Sequence, residues 1–347
     1  MRDIDEDRVP IENSADSALV GQSAEFLALL EHVSMAAPLS KPVLLIGERG
    51  TGKELIAARL HYLSKRWDRA FIKLNCAALA ESLLESELFG YEPGAFTGAT
   101  RKHAGRFELA HRGTLFLDEL ATMSPRVQEK LLRVLEYGEF ERLGGRETLR
   151  VDVRVVGATN ADLPRLAERG EFRADLLDRL AFDVITLPPL RLRQSDILPL
   201  AEHYATRMAR ELKREYFAGF APSAQHALRS YSWPGNVREL KNVVERAVYR
   251  CLDPLEAIHT LVFDPFASPY SQAAASTISV STQSSQADAA AEPTLTLTDE
   301  VAALEQNRLQ AALRVSSFHQ RKAAQLLGLS YHQLRGYLRK YPQISLR

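Results

Sequence analysis

Apolar residues gather in short runs along the first part of the chain, and each run stops at a polar residue. Val43 to Ile46 in KPVLLIGERGTGKELIAARL is one such run, and AFIKLNC, GTLFLDE and VDVRVVGATN contain others. Apolar runs closed by polar residues and alternating with helical patterns predict the strands of a parallel α/β sheet, with GTLFLDE a buried one. After the first run the period changes, with Leu55, Ile56 and Leu60 on one side of a predicted helix. A second helix is predicted in NVRELKNVVERAV, behind Pro234 and Gly235. The expected architecture is α/β, with several strands delivering polar groups at their C-terminal ends, where ligand sites of parallel sheets lie.

The patterning lapses near residue 266 and returns close to the C-terminus. Ser268 to Thr298 reads SPYSQAAASTISVSTQSSQADAAAEPTLTLT, with Asp288 and Glu292 its only charges. Such a stretch cannot build a packed core and is expected to be a flexible tether. Beyond it, Ala323, Ala324, Leu326 and Leu327 are expected on one helix, Gly328 at a turn, and Leu334, Tyr337 and Leu338 on a second helix set among Arg335, Arg339 and Lys340. Small residues, a glycine turn and a basic second helix fit helix-turn-helix geometry, against which stands a plain amphipathic helical hairpin. Glu300 to Arg347 holds eight Lys/Arg against two Glu, so the zero formal charge of the 347-residue whole conceals a basic module suited to nucleic acid.

Composition adds exclusions. Two distant cysteines, Cys76 and Cys251, argue against a disulfide framework or zinc site and for a reducing cytoplasm. No apolar run approaches a membrane span, and the acidic start MRDIDEDRVP is unlike a signal peptide.

The first strand runs into Gly47-Glu48-Arg49-Gly50-Thr51-Gly52-Lys53-Glu54. Glycines let backbone N–H groups approach phosphates, the following helix adds its N-terminal dipole, and Lys53 reaches the β and γ phosphates of a nucleotide. Glu54 stands where the lysine is usually followed by the Ser or Thr that ligates magnesium, so Thr51 or water must help complete the ion's shell. GTLFLDE ends in two adjacent carboxylates, of which Asp118 is expected to hold Mg2+ and Glu119 to orient water. Thr159 and Asn160 close a third strand and suit sensing of the γ-phosphate; Asn75 closes a fourth and is expected to hydrogen-bond Glu119. Arg173 and Arg179 flank an acidic helical stretch, either as fingers toward a neighbour's γ-phosphate or as surface ion pairs. Arg238, in the first turns behind WPGN, could meet the phosphates from the chain's own side.

EPGAFTGATR places Phe96 and Thr97 in a loop hinged by Gly94 and Gly98, which suits an apolar tip presented to a partner better than a core ring. Trp67 sits between Lys65-Arg66 and Asp68-Arg69. Such a frame fits either a cover for the end of the phosphate-loop helix or an exposed anchor for a partner.

Taken together, GERGTGKE, ELFGYEPGAFTGA, GTLFLDE, FRADLLDRL, LPPLRLRQSDI and WPGNVREL resemble bacterial enhancer-binding activators of sigma-54 RNA polymerase, which are AAA+ ATPases, over about Val20 to Asp264. Within that family the phage-shock-operon activators are resembled in particular, since the short stretch before Val20 leaves no room for a receiver domain. The resemblance implies an AAA+ ATPase fold with a parallel sheet and an α-helical lid subdomain, plus a C-terminal all-α Fis-type helix-turn-helix. The implied boundaries are an N-terminal extension at 1–19, the α/β subdomain at 20–190, the lid at 191–266, the tether at 267–298 and the DNA-binding domain at 299–347.

It further implies ATP and Mg2+ as cofactors, residues 47–54 with Thr159, Asn160 and Arg238 around the nucleotide, and Asp118, Glu119, Asn75, Arg173 and Arg179 in catalysis. Gly94, Ala95, Phe96, Thr97, Gly98 and Ala99 become the contact to the sigma-54 holoenzyme. Enhancer double-stranded DNA would meet Arg321, Lys322, Ser330, Tyr331, His332, Gln333, Arg335, Arg339 and Lys340. A homo-oligomer, a hexameric ring, and a PspA-like membrane-associated inhibitor acting in trans on Trp67 are implied as partners. In LRLRQSDI, Leu192 and Ser195 stand where the family often has acidic residues, which leaves its local salt-bridge set open for this chain. A protein-remodelling AAA+ ATPase would need neither GAFTGA nor the basic tail, and a simple DNA-binding repressor would leave the nucleotide motifs idle.

Overall fold

A computed structural model of the chain describes residues 19–266, 297–316 and 319–341. The predicted extension up to residue 18, and the tether from 267 to 296, lie outside the described residues. The chain divides into two compact units, Met1–Ser268 and Pro269–Arg347.

The first unit is built on five parallel strands. These are β1 (Val43–Ile46), β2 (Phe71–Asn75), β3 (Thr114–Asp118), β6 (Arg154–Thr159) and β7 (Val184–Thr186), ordered β2-β3-β6-β1-β7. Their side chains alternate between two cores. Leu44, Leu115, Leu117 and Val155 face one layer, where α3 (Glu81–Phe89), α4 (Arg106–Leu109), α5 (Pro125–Tyr137), α6 (Leu163–Glu168) and α7 (Ala174–Leu180) contribute Leu88, Phe107, Leu131, Leu163 and Leu176. Val43, Leu45, Phe116, Val156 and Ile185 face the other, where α1 (Ala24–Ala36) and α2 (Lys53–Tyr62) contribute Phe26, Val33, Ile56 and Leu60. Burial on both faces is why β1, β3 and β6 read as apolar runs rather than as alternation, whereas the outer strands β2 and β7 keep exposed positions, Lys73 among them. Arg154, fully buried at the start of β6, donates to the carbonyls of Ala36 and Ala37 at 2.9 and 2.7 Å, so it satisfies the orphan acceptors at the end of α1.

A small antiparallel hairpin of β4 (Glu139–Glu141) and β5 (Thr148–Arg150) follows α5. The lid comprises α8 (Gln194–Glu211), α9 (Pro222–Ser230) and α10 (Asn236–Arg250), packed around Trp233, whose indole N–H donates to Leu228 O at 2.8 Å.

The second unit holds α11 (Leu297–Val315), α12 (Gln320–Leu326) and α13 (Tyr331–Lys340). Ala323, Ala324 and Leu334 bury against Leu309, Ala312, Leu313 and Tyr341. Leu326 departs from the expected apolar face and is exposed, because the helix ends there and the chain turns at Gly328, in the left-handed region at φ 64°. Ser330 and Gln333 form a reciprocal capping box at the start of α13, with bonds of 3.3 and 2.9 Å. Among the expected DNA-contact residues these two are therefore occupied locally, and Lys340 is paired with Glu305 at 2.9 Å. Arg321, Lys322, His332, Arg335 and Arg339 are exposed, while Tyr331 is half-buried.

Candidate nucleotide site and partner loop

The phosphate loop spans the gap between β1 and α2. Gly52 caps α2 at φ 98°, and Gly50 lies at φ 78° with its Cβ position 2.3 Å from the carbonyl oxygen of Gly235, so no side chain fits there. Lys53 is buried at the first position of α2, and its ammonium donates to Gly47 O and Glu48 O at 2.8 and 3.2 Å. Burial lowers its pKa, opposed by the negative charges of Asp118 and Glu119 nearby. The loop is thus curled around the Lys53 ammonium.

Parallel register brings the polar strand ends into one row. Ile46 pairs with Thr159, and Asn75 with Asp118. Asp118 is half-buried, and its Oδ1 accepts the Glu119 amide at 3.0 Å. Glu119 sits at φ 52°, a left-handed conformation that a non-glycine residue adopts only when its surroundings enforce it, and its carboxylate faces Arg49 at 3.7 Å. Cys76, buried directly after β2, has its thiol pushed up to about 12 by burial and by these two acids, and is inert at neutral pH.

Several sequence expectations need correction. Asn75 does not bond Glu119 here; its side-chain oxygen accepts the Ala77 amide at 2.9 Å, since the chain bends into a short turn at that point. Glu54 turns outward to Lys73 on β2 at 2.9 Å instead of toward the phosphates. Thr159 is fully buried with its hydroxyl oxygen accepting from Ala161 N at 3.0 Å, which leaves exposed Asn160 as the accessible member of that pair. The oxygens fit magnesium in part. Asp118 retains an unshared carboxylate oxygen among the described residues, and the Thr51 hydroxyl gives its proton to Glu48 O at 2.8 Å while keeping its lone pairs.

Glu48 was expected around the nucleotide, but it binds the lid. It accepts from Arg191 through both oxygens, at 2.5 and 2.8 Å, and from Asn236 Nδ2 at 3.0 Å. The Arg191 hydrogen bonds hold its carboxyl down at about 2. Gly50 O in turn accepts the amides of Val237 and Arg238 at 3.0 and 3.3 Å, which seats exposed Arg238 beside Lys53. The turn that allows this is strained, with Trp233 and Asn236 at φ 51° and 52°. Sequence reading missed Arg191, Asn236, Arg193 and Asp196. Fully buried Asp196 takes Arg193 Nε at 2.8 Å and the amides of Gln22 and Ser23 at 2.6 and 2.7 Å, which pins the segment ahead of α1 to the lid.

In the EPGAFTGATR loop, Gly94 and Gly98 have φ 83° and 99°, and Gly94 N donates to Ala99 O at 2.7 Å to close the base. Ala99 is buried, Thr97 is exposed, and Phe96 is 47% exposed with its ring set edge-on to Tyr91 at 4.9 Å. Buried Arg142, just past β4, holds the base from below, with Nη1 on Glu92 at 2.7 Å and Nε on Glu108 at 2.8 Å. Arg173 pairs with Asp175 at 2.7 Å and Arg179 with Glu136 at 2.6 Å, both on the surface. In this single chain they occupy the ion-pair arrangement and reach no phosphate loop. Trp67 is 64% exposed beside Tyr62 and Leu63, at 54% and 45%, so it does not serve as a cover for the end of α2.

Three family models match consecutive parts of the chain. The sigma-54 interaction domain covers residues 19–186, the AAA+ ATPase lid domain 191–276, and the bacterial regulatory protein, Fis family, 300–341. The Psp operon transcriptional activator of Escherichia coli K12 is 56% identical over 93% of this chain and 97% of its own length. This chain belongs to the sigma-54 activator family. Another member, the Nif-specific regulatory protein of Azotobacter vinelandii, is 44% identical over 92% of the chain and 58% of its own length. Among solved structures, NtrX from Brucella abortus in complex with ATP has a TM-score of 0.68 and 31% identity, over 93% of this chain and 68% of its own. The same protein crystallised with ADP matches at 0.68 and 30% identity, over 93% and 69%. The sigma-54 activator described here is accordingly a transcription activator of AAA+ architecture with a Fis-type DNA-binding domain. No helix among its described residues is long and apolar enough to cross a membrane.

The Glu48 clasp makes a prediction. Its carboxyl is depressed from 4.5 to about 2, so its contribution is complete above pH 4.5 and disappears as the pH falls toward 2. Glu48→Gln removes that charge at neutral pH and is expected to speed amide exchange at 236–238 several-fold while leaving the β1 amides unchanged. Unchanged exchange at 236–238 would show that Glu48 does not hold the lid.

Proposed function

We propose that this sigma-54 activator hydrolyses ATP and spends the free energy on remodelling the sigma-54 RNA polymerase closed complex into an open one. The observation that carries the reading is the convergence of buried Lys53, Asp118 and strained Glu119 at the C-terminal edge of the sheet, beneath a lid bonded to the phosphate loop itself. Asn160, directly after β6, and Arg238, on the lid helix α10 near Lys53, join this set. Asp118 and the Thr51 oxygen are the groups that would hold Mg2+, which would neutralise phosphate charge when bound. Glu119 orients the attacking water and accepts its proton, while Lys53 and Arg238 balance the phosphate oxygens.

Arg173 and Arg179 act across a subunit boundary in a homo-oligomeric, hexameric ring, exchanging their surface carboxylates for a neighbour's γ-phosphate. The Phe96 and Thr97 tips contact sigma-54, and α12 and α13 bind upstream enhancer DNA through Arg321, Lys322, Tyr331, His332, Arg335 and Arg339. The domains follow the boundaries 1–19, 20–190, 191–266, 267–298 and 299–347. The tether raises the effective concentration of the ATPase at the promoter. By analogy with the Psp operon relative, the target is a phage-shock operon in the cytoplasm, and exposed Trp67 anchors a PspA-like inhibitor.

In transcription with purified sigma-54 polymerase, open complexes should form with ATP and not with a non-hydrolysable analogue. Glu119→Gln should bind ATP within a few-fold of the parent yet hydrolyse it on the order of 10² to 10⁴ times more slowly. Parent-like turnover by that variant, or activation without hydrolysis, contradicts the assignment.

Trp67→Ala should retain ATPase and activation and escape a PspA-like protein added in trans. A variant that remains fully repressed removes Trp67 from that role.

A further inference from the structure

Gln128, on α5, is wholly buried, and its amide is used in three directions. Its Nε2 donates to Met123 O at 2.8 Å and to Glu171 O at 3.2 Å, and its Oε1 accepts the Arg173 amide at 2.9 Å. A buried neutral amide is costly unless bonded, so an amide placed here with each group engaged fixes whatever it touches.

What it touches lies on two different functional segments. Met123 closes the short turn that begins at Glu119. Within that turn, Met123 N bonds Leu120 O at 3.2 Å, and both the amide and hydroxyl of Thr122 bond Glu119 O, at 3.0 and 2.8 Å. A displacement of the Glu119 backbone therefore reaches the Met123 carbonyl with little slack. On the other side, Arg173 is the N-cap residue of α7, and its own side chain makes no cap bond. The Gln128 oxygen thus supplies a fixed acceptor at the point where the helix carrying Arg173 and Arg179 begins. Arg179 is referred to the same helix, α5, through Glu136 at 2.6 Å.

We infer that Gln128 is a positioning residue. It sets Arg173 by its backbone for work on a neighbouring subunit's nucleotide, and it links that setting to the turn of Glu119 in its own subunit. The inference rests on the proposed action of Arg173 in trans. Its consequence is that the state of one nucleotide site biases the arginine offered to the next, without contact between the two nucleotides. Gln128 touches no nucleotide group itself, so its loss should spare ATP affinity and lower turnover. A misplacement of about 1 Å can cost on the order of 10²-fold in rate.

Gln128→Met keeps the volume and removes all three bonds. With the full-length protein, it is expected to lower kcat on the order of 10- to 100-fold with KM for ATP within about threefold. Mixing separates the finger from the site. A Gln128→Met chain has an intact phosphate loop and a poor finger, so hydrolysis should recover on mixing with Lys53→Ala and not with Arg173→Ala. Parent-like kcat, or recovery with Arg173→Ala instead of Lys53→Ala, overturns the inference.

The Arg173→Ala and Lys53→Ala mixture is the control. If it fails to recover, action in trans is wrong and the Gln128 role falls with it; if it recovers while the Gln128→Met and Lys53→Ala mixture does not, only the Gln128 role falls. Should Gln128→Met not fold, the unmodified chain decides. Adding ADP below the concentration of self-association should change amide exchange at 171–175 at least several-fold, and no change overturns the link.

Discussion

The parallel pairing of five strands is the constraint on which everything else in the first unit depends. Parallel strands end at one edge, and their connections return by helices that cover both faces. Every functional group at a strand terminus is therefore delivered to the same side. Register fixes which ones meet: Asn75 with Asp118, and Ile46, next to the phosphate loop, with Thr159. A slip of one residue in β3 would turn Leu115 and Leu117 into the layer occupied by Phe116, and two cores filled by differently shaped side chains do not permit it.

From that edge, two structural routes lead outward. One runs through Glu48 and Gly50 into the lid, where two hydrogen bonds from Arg191 and two from Asn236, in a turn with two residues at positive φ, hold the lid against the loop. Strain at a phosphate loop, over-determined by neighbouring bonds, is suited to a contact that changes when ligand arrives. The other runs from Glu119 through the Met123 turn into α5, then into the hairpin, where Arg142 grips Glu92 and Glu108 at the base of the Phe96 loop. Arg142 is buried and its guanidinium is held in the charged form by those two carboxylates, so the loop base is anchored to a rigid element while Gly94 and Gly98 leave the tip free to turn.

Much of this was legible in the sequence because the signals were local. Apolar runs identified the strands, glycine spacing before Lys53 identified the phosphate loop, and paired acids closed β3. A bend that engages its own side chain defeated the reading of Asn75, since an Asx-type turn at 75–77 leaves no trace in apolar periodicity. Glu54, on α2, was misplaced for a related reason, as its partner Lys73 comes from strand β2, 19 residues away. The lid clasp was illegible altogether. Arg191 lies 143 residues from Glu48 and Asn236 lies 188, and nothing in either local pattern announces a bond across the fold. Gln128 was hidden by polarity, since an apolar-period argument assigns a glutamine to the surface, and only the three backbone groups waiting in the interior explain its burial.

The division between a nucleotide edge and a separate loop tip can be measured in one chain. Phe96→Ala removes the ring at the tip and touches none of the groups around Lys53, Asp118 and Glu119, so ATP turnover and nucleotide-dependent capture of sigma-54 should be read side by side on that variant. Turnover within about twofold of the parent with capture abolished is the predicted result; parallel loss of both activities, or full retention of capture, would contradict it.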